Sequence, residues 1–592
     1  MKRLTCCLAW MFLLIGAVAA QDKEVKLKIV QTSDIHGNFY PHDFILQREA
    51  AGSLARVHAF VQKARETYKD NLILLDNGDI LQGQPTAYYY NYIDTVSLKT
   101  ATPPAAVPPH VTADMLNFMG YDAANMGNHD VETGRAVFDR WAGDCRAPVL
   151  GANIIDTATG EPHFRPYKVL ERDGVKIAVL GMITPAIPVW LSENLWRGLR
   201  FDDMEETARK WMKIIREKER PDIVIGMFHA GQDALLMGGK YRENASLDVA
   251  RNVPGFDIVL MGHDHARECK KVQNVAGDSV LVMDPASNGI VVSDIDITVT
   301  LRNGKVTDKQ IDGVLTETAP YGISGEFMKR FSPQYATIQD FVSKRIGRFT
   351  KTVSTRPAYF GSSAFIDLIH TLQLDISGAE ISLAAPLSYD TQIKEGDIYV
   401  YDMFNLYKYE NMLYTMKLSG KEVRDALEMS YDLWTNRMTS PDDHILLLRD
   451  QPREGAADRA AFKNFSFNFD SAAGIIYTVD VTKPCGSKVT ILSMADGTPF
   501  HMDKMYTVAL NSYRGNGGGE LLTKGAGISQ DELKERIISS TDKDLRYYLM
   551  QYIEQKKVIE PRALGQWKFI PEEWAVPASK RDYEFLFGTN RN

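Results

Sequence analysis

The stretch FDIVLMGHDH, residues 256–265, decides the fold of the first half of the chain. Its apolar run is typical of a strand buried on both faces, and the run stops at Gly262. His263 and His265 then flank Asp264. Polar side chains at the carboxyl end of a buried strand indicate a site if other strands of the same sheet end in the same way.

Four more apolar runs of the first half end in polar side chains. They are KLKIVQTSD (26–34), NLILLDNGD (71–79), YDAANMGNHD (121–130) and PDIVIGMFHAG (221–231). Segments of helical period lie between the runs, such as AGSLARVHAFVQKARETY (51–68) and MEETARKWMKIIREKER (204–220). Alternating strands and helices predict a layered α/β domain, in which the strand ends converge at one edge.

The strand ends carry side chains that can bind metal ions. These candidates are Asp34, His36, Asp79, Asn128 with His129, His229, His263 and His265. Imidazole, carboxylate and amide ligands suit Zn, Mn, Fe or Co. The set is larger than one ion needs, so we expect two divalent ions that share a carboxylate. The remaining histidines do not stand in such motifs at strand ends, and we expect them to have ordinary structural roles. They are His42, His58, His110, His163, His370, His444 and His501.

The length of 592 residues predicts at least two domains. Residues 294–314 alternate and predict a hairpin with its turn at Asn303-Gly304, and residues 325–349 read as a polar helix. Later segments predict helices at 362–377 and 419–434 and strands at 474–481 and 504–513. We therefore expect a first domain over 21–325, a linker helix over 326–354 and a second domain over 355–592.

Residues 1–20 predict a secretory signal peptide, because a basic start precedes a short apolar run and small residues. The rest of the sequence has no comparable run, so we expect an exported, periplasmic protein without a stable membrane span. The net charge of −8 argues against a nucleic-acid polymer as partner. A small-molecule substrate and a monomer are expected.

Five motifs in order carry a family resemblance. TSDIHGN, NGDILQGQP, GNHD, FHAG and GHDH resemble the metal-binding motifs of calcineurin-like metallophosphoesterases. Together with the second domain, the chain is similar to the secreted 5'-nucleotidase family. The resemblance implies an N-terminal four-layer α/β/β/α metallophosphoesterase domain, a linker helix and a C-terminal α+β nucleotidase domain that binds the substrate.

The same resemblance assigns the ligands. One ion would be held by Asp34, His36, Asp79 and His265, and the other by Asp79, Asn128, His229 and His263, with Asp79 bridging. His129 matches the family's catalytic histidine, which contacts the phosphoryl group and the leaving oxygen. An acid supports that histidine in the family, and Glu132 and Asp130 are both candidates here. A hydroxide formed between the two ions would attack phosphorus.

Two stretches of the second domain place tyrosines beside polar turns: FNLYKYENMLYTMKLSGKEV (404–423) and YTVALNSYRGNGGGELL (506–522). Facing aromatic rings can hold a flat base, although tyrosines near strand ends also serve as core residues. The family resemblance favours the base-binding interpretation. It matches Tyr409, Asn411 and Tyr513 to the base site, with Tyr407 as an alternative to Tyr409. Arg514 and Gly518, beside Tyr513 in the sequence, are further candidates for contact with the substrate.

The favoured function is hydrolysis of phosphate esters of nucleotides. Residues 354–390 contain a single arginine, Arg356, whereas relatives acting on 5'-nucleotides carry several there. The second domain is more similar to the branch with 2',3'-cyclic-nucleotide 2'-phosphodiesterase and 3'-nucleotidase activity. A 5'-nucleotidase or nucleotide-sugar hydrolase is the alternative enzyme. A nucleotide-binding surface protein is the alternative without catalysis.

Overall fold

The computed structural model describes residues 22–94, 108–237, 239–449 and 461–588. The predicted signal peptide at 1–20 lies outside these residues. Within the described part, no helix combines the length and the hydropathy that are needed to cross a membrane.

Two six-stranded sheets form the first domain. The first sheet has the strand order Lys305–Glu317, Val291–Arg302, Lys23–Thr32, Leu72–Asp76, Ala123–Asn125 and Val149–Leu150. The second has the order Arg267–Gln273, Ser279–Pro285, Ile258–Leu260, Ile223–His229, Val175–Ile183 and Tyr167–Arg172. The central strands of each sheet run parallel, so their carboxyl ends lie at one edge.

The sheets pack face to face through aliphatic side chains, among them Leu27 and Ile29 from the first and Ile177 and Ile225 from the second. Helices cover the outer faces. The first sheet carries Leu54–Tyr68, Val111–Met119 and Arg135–Asp144, and the second carries Met204–Lys218 and Ser246–Asn252. The predicted α/β/β/α order is confirmed. It explains the near-continuous apolar runs, because the central strands are buried on both faces.

The hairpin and the connecting helix can be compared with the sequence. Strands Val291–Arg302 and Lys305–Glu317 pair antiparallel, and both turn residues have positive φ, as a type I′ turn requires. The linker helix is shorter than predicted. Helices Gly325–Arg330 and Ser332–Val342 precede strand Arg345–Phe349, which pairs with later strands. Residues 345–349 are the central strand of a three-stranded sheet, with Ile346, Gly347 and Phe349 buried, so the predicted helix is wrong over this segment.

The second domain is α+β. Its five-stranded sheet has the order Ser471–Ala473, Ile381–Ala384, Met505–Asn511, Met412–Ser419 and Ile537–Asp544. Two three-stranded sheets have the orders Gly396–Tyr399, Arg345–Phe349, Val558–Ile559 and Val489–Met494, Ile475–Asp480, Trp567–Ile570. The longer helices are Ala364–Ser377, Val400–Leu406, Gly420–Trp434, Gln530–Arg536, Leu545–Lys556 and Glu572–Phe587.

Side-chain contacts join the two domains at two places. Tyr88 of the first domain packs in an apolar cluster of the second, and the Arg546 guanidinium lies 4.9 Å from the centre of its ring. On another side, Asn516 donates to the carbonyl of Trp190 at 3.3 Å, and Lys534 pairs with Glu193 at 3.0 Å.

His370 provides a test of the second domain's core. It is fully buried between Ser382 and Ser471, at 2.9 and 3.1 Å, and burial lowers its pKa to about 3. The folded state keeps this ring neutral, whereas the unfolded chain protonates it below about pH 6.5. The stabilisation is therefore present above pH 6.5 and is lost as the pH falls toward 3.

We predict that acidification from pH 7 to pH 5 removes about 2 kcal/mol of unfolding free energy through His370. Urea denaturation of the wild type and of His370→Gln at both pH values measures this term. The variant should be less stable at pH 7 and lose less on acidification. An equal loss in both proteins would contradict the assignment.

Candidate active site

Two groups of side chains converge at the carboxyl ends of the parallel strands. One contains Asp34, His36 and His265, the other Asp79, His229 and His263, and in each group the ligand atoms lie within 4.8 Å of one another. Among the described residues, no other group of three or more histidines, cysteines and acids meets this criterion. The seven histidines expected to be structural belong to neither group.

In the first group, the Nε2 atoms of His36 and His265 lie 3.0 Å apart, and Asp34 Oδ1 lies 3.3 Å from His265 Nε2. His36 Nδ1 lies 3.1 Å from the carbonyl of Gln82, to which it donates, so Nε2 carries the lone pair. Burial and the nearby His265 lower the pKa of His36 to about 4. A neutral ring with Nε2 directed at other ligand atoms is the form that binds a cation.

In the second group, His229 Nε2 lies 3.1 Å from Asp79 Oδ2 and 3.1 Å from Asn128 Oδ1. Its Nδ1 donates to the carbonyl of Asn77 at 2.7 Å. His263 Nδ1 lies 2.8 Å from the same Asn128 oxygen. Burial lowers the pKa of His229, but the carboxylates of Asp79 and Asp34 outweigh it and raise the pKa to about 10. This local excess of negative charge favours a bound cation.

The donor set fits two divalent ions. It consists of imidazole nitrogens, carboxylate oxygens and one amide oxygen, and the outer nitrogens of His36 and His229 are held by backbone carbonyls. The groups adjoin each other, because Asp34 Oδ1 is also 3.9 Å from His229 Nε2. The predicted ligands are therefore assembled as expected, while the bridging role of Asp79 stays a prediction.

Backbone conformation sets the direction of these side chains. Asp34, His36, Asp79, His263 and His265 all have positive φ, between 49° and 78°. Such angles are uncommon for residues other than glycine and concentrate at functional sites. Gly127 allows a close approach nearby, since a Cβ there would lie 2.1 Å from Asp79 Oδ1. The strands that precede these five residues thus end in sharp turns that direct the ligands into the site.

His129 lies beside the ligands and is reachable, with 28% of its side chain exposed. Its Nδ1 is 2.6 Å from Glu132 Oε2, because residues three apart share one face of helix Asn128–Glu132. Asp79 and Glu132 raise the pKa of His129 to about 10 against the effect of burial, which lowers it. Glu132 therefore supports this histidine.

Asp130, the other candidate for this support, has a different role. Its carboxylate accepts hydrogen bonds from the backbone N–H groups of Asp79, Ile80, Leu81 and Gly127, at 2.8–3.0 Å. The expectation that Asp130 assists catalysis is corrected accordingly. This acid holds the turn that carries Asp79.

The predicted base site lies on the second domain. Tyr409 and Tyr513 are half-buried, whereas the alternative, Tyr407, is buried at 2% exposure. Asn411 is 7% exposed. Burial raises the pKa of Tyr513 to about 12, Arg514 opposes the rise, and Glu243 and Tyr409 add to it. Tyr513 therefore interacts electrostatically with the other tyrosine and with an acid of the first domain.

Gly518 and Arg514 lie on the interior side of this site. A Cβ at Gly518 would lie 2.5 Å from the Tyr513 ring, so the glycine backbone covers part of that ring. Arg514 is 2% exposed and forms a bidentate pair with Asp470, at 2.8 and 2.9 Å. The expected substrate contact of Arg514 is thus corrected. Its donors serve the interior of the domain, because an unpaired buried guanidinium would be costly.

Comparisons with known proteins agree with this architecture. Residues 27–267 match the family model of calcineurin-like phosphoesterases, and residues 345–524 match the C-terminal domain of 5'-nucleotidases. The chain is a metallophosphoesterase with a 5'-nucleotidase C-terminal domain. These two regions are the phosphoesterase domain and the nucleotidase domain. Members of this kind are phosphoesterases and nucleotidases, and the chain is a metal-dependent phosphoric ester hydrolase.

Relatives cover nearly the whole chain. The 2',3'-cyclic-nucleotide 2'-phosphodiesterase/3'-nucleotidase of Salmonella typhimurium is 26% identical over 94% of this chain and 90% of its own length. The trifunctional nucleotide phosphoesterase YfkN of Bacillus subtilis is 27% identical over 94% of this chain, which spans only 40% of that larger protein. A candidate 5'-nucleotidase structure from Staphylococcus aureus superposes with a TM-score of 0.73 at 19% identity, covering 92% of this chain and all of that one, which shows the fold.

Sequence reasoning missed a residue that orients a ligand. Glu243 Oε1 lies 3.0 Å from His263 Nε2, and the Trp190 ring packs against the same histidine, 5.6 Å between centres. Glu243 is in an irregular loop of the phosphoesterase domain, so no periodicity or motif marks it. Its contact fixes Nδ1 of His263 as the atom directed into the site.

We predict that Glu243→Gln weakens binding at the second group about 10–100-fold, the usual effect of losing an outer carboxylate. Calorimetric titration of the metal-free protein with Mn²⁺ or Zn²⁺ should resolve one weakened and one unchanged site. Glu66→Gln, which changes an exposed acid paired with Lys63 on helix Leu54–Tyr68, is the control. Two unchanged sites in Glu243→Gln would contradict the role.

A second experiment distinguishes the roles of Glu132 and Asp130, the two acids close to His129 in the sequence. We predict that Glu132→Gln lowers kcat/KM about 10–100-fold with little change in Tm, because it removes the charge that supports His129. Asp130→Asn should lower the unfolding free energy by about 2–3 kcal/mol, because one amide oxygen cannot replace the carboxylate for four N–H donors. Kinetics and thermal unfolding measure both. A fully stable Asp130→Asn would exclude the structural role.

Proposed function

We propose that this protein releases phosphate from nucleotides, and from 2',3'-cyclic nucleotides and 3'-nucleotides in particular, after export from the cytoplasm. One observation carries the proposal: Trp190 connects the metal-ligating groups with the nucleotidase domain. Its ring packs against the ligand His263, and its carbonyl accepts a hydrogen bond from Asn516, three residues after Tyr513. Glu243 bonds His263 and also raises the pKa of Tyr513. We infer that a nucleotide places its phosphate at the metal-ligating groups and its base at the tyrosines.

The chain's own residues divide the work of the reaction. Tyr409, Tyr513 and Asn411 would bind the base, and the ligands Asp34, His36, Asp79, Asn128, His229, His263 and His265 would hold two ions. When bound, the ions supply a water that ionises near neutral pH and stabilise charge on the phosphoryl oxygens.

His129 would contact the phosphoryl group and protonate the leaving oxygen, since its Nδ1 is occupied by Glu132 and Nε2 is left for the substrate. The paired carboxylate favours the protonated ring and fixes its orientation. Glu132 thus acts through His129 and need not touch the substrate.

The choice of nucleotide isomer is supported by sequence and structure. The Salmonella relative named for cyclic and 3' substrates aligns over both domains. Arg356, the single arginine of residues 354–390, is paired with Asp390 at 2.6 and 2.9 Å and lies over the Phe587 ring, 5.2 Å from its centre. The entry to the nucleotidase domain therefore offers no arginine cluster for a 5'-phosphate.

Phosphate release from 2',3'-cyclic AMP, 3'-AMP and 5'-AMP tests the proposal. We predict activity on the first two substrates, loss with EDTA, and recovery with Mn²⁺, Co²⁺ or Zn²⁺. In Asp79→Asn, the rate of phosphate release should fall at least about 100-fold, which is the upper end of the effect of losing an outer partner of a metal site. Preference for 5'-AMP would favour the 5'-nucleotidase alternative. Binding of both ions and of nucleotide without turnover would favour a binding protein.

A further inference from the structure

A phenylalanine beside the two tyrosines has no role in the site described so far. Phe467 is half-buried, and its ring stands at 85° to that of Tyr513, with 6.2 Å between the centres. Phe467 and Tyr409 also pack against the same apolar cluster of the nucleotidase domain. The phenylalanine therefore contacts Tyr513 and borders the same apolar cluster as Tyr409.

The perpendicular arrangement has a direct consequence for a flat ligand. A base stacked parallel to Tyr513 lies perpendicular to Phe467, and edge-to-face contact is a favourable geometry between aromatic rings. The wider bicyclic ring of a purine reaches farther across Tyr513 than a pyrimidine does. The perpendicular ring of Phe467 therefore contacts purines more than pyrimidines.

A buried ion pair fixes the position of the Phe467 ring. Arg514 directly follows Tyr513 and pairs with Asp470 through two hydrogen bonds, while its Nη2 also donates to the carbonyl of Phe467 at 3.1 Å. Its Nη1 donates to the carbonyl of Gly518, whose backbone packs against Tyr513. One guanidinium thus joins the segment that carries Phe467 to the turn that carries Tyr513.

We propose that Phe467 is a specificity-determining residue that contacts the edge of the base and favours purines, and that Arg514 and Asp470 are its positioning residues. The inference rests on the proposed function, because it requires a base between Tyr409 and Tyr513. It does not depend on which phosphate isomer is cleaved.

Inhibition by nucleosides tests the role of Phe467 separately from nucleotide hydrolysis. With p-nitrophenyl phosphate as substrate, which has no base, the Ki of adenosine and of cytidine is measured for wild type and Phe467→Ala. We predict a Ki for adenosine raised about 5-fold, within the range of one aromatic pair. The Ki for cytidine should change less than about 2-fold on the same grounds. Hydrolysis of p-nitrophenyl phosphate should be unchanged.

Phe500→Ala is the matched control, since Phe500 is a half-buried ring of the same domain that stacks on Tyr506, 4.9 Å between centres. Phe467→Tyr should keep the wild-type Ki for adenosine. An unchanged Ki in Phe467→Ala, or equal changes for adenosine and cytidine, overturns the specificity role. A protein that binds adenosine in this way but hydrolyses no nucleotide would refute the proposed function alone.

Asp470→Asn tests the positioning residues. It keeps the shape of the side chain but removes the charge that fixes Arg514. We expect the adenosine Ki to rise as in Phe467→Ala while hydrolysis of p-nitrophenyl phosphate is retained, and a Tm measurement reports whether the domain stays folded. A folded variant with the wild-type Ki removes the positioning role. If the variant unfolds, the effect of Phe467→Ala decides the proposal.

Discussion

The burial of two carboxylates, Asp34 and Asp79, is the constraint on which the active site depends. Both side chains are removed from water, and an ionised carboxylate in that environment needs compensating charge. His229 lies against both carboxylates, and His36 and His265 direct their ring nitrogens at Asp34 and at each other. Such a cluster is stable only with cations or protons among its members. Its chemistry is therefore that of a metal centre.

The fold supplies the rigidity that this cluster requires. Parallel strands bring residues more than 200 positions apart to one edge, and turns with positive φ direct the ligands inward. Asp130 secures one of these turns through four backbone hydrogen bonds. The nucleotidase domain is joined to this edge near Tyr88, where Arg546 pairs with Glu410 at 2.7 Å, next to Tyr409. This ion pair thus fixes the segment of Tyr409 beside Tyr88 of the phosphoesterase domain.

The sequence predicted most of the fold and the ligands, because both leave local patterns. Apolar runs that end in Asp, Asn or His identify the strands and the site together, as in the run that leads to His263. Contacts that depend on tertiary packing left no such pattern. Glu243 is an ordinary acid in a loop, and the burial of Arg514 depends on Asp470, 44 residues away.

Two further differences have physical reasons. The linker helix ends at Val342, because the following polar segment pairs as a sheet strand instead of continuing the helix. The alternate phenylalanines of FSFNFD (465–470) could have drawn attention to Phe467. The same alternation is typical of a strand that packs in a core, so the sequence alone does not separate the two interpretations.

Anomalous diffraction from crystals grown with Mn²⁺ and adenosine tests the central claim most directly. The account predicts two anomalous peaks, one among Asp34, His36 and His265 and one among Asp79, Asn128, His229 and His263. It also predicts an adenine ring between Tyr409 and Tyr513. A single ion, ions bound elsewhere, or adenosine bound away from Tyr409 and Tyr513 would contradict the account.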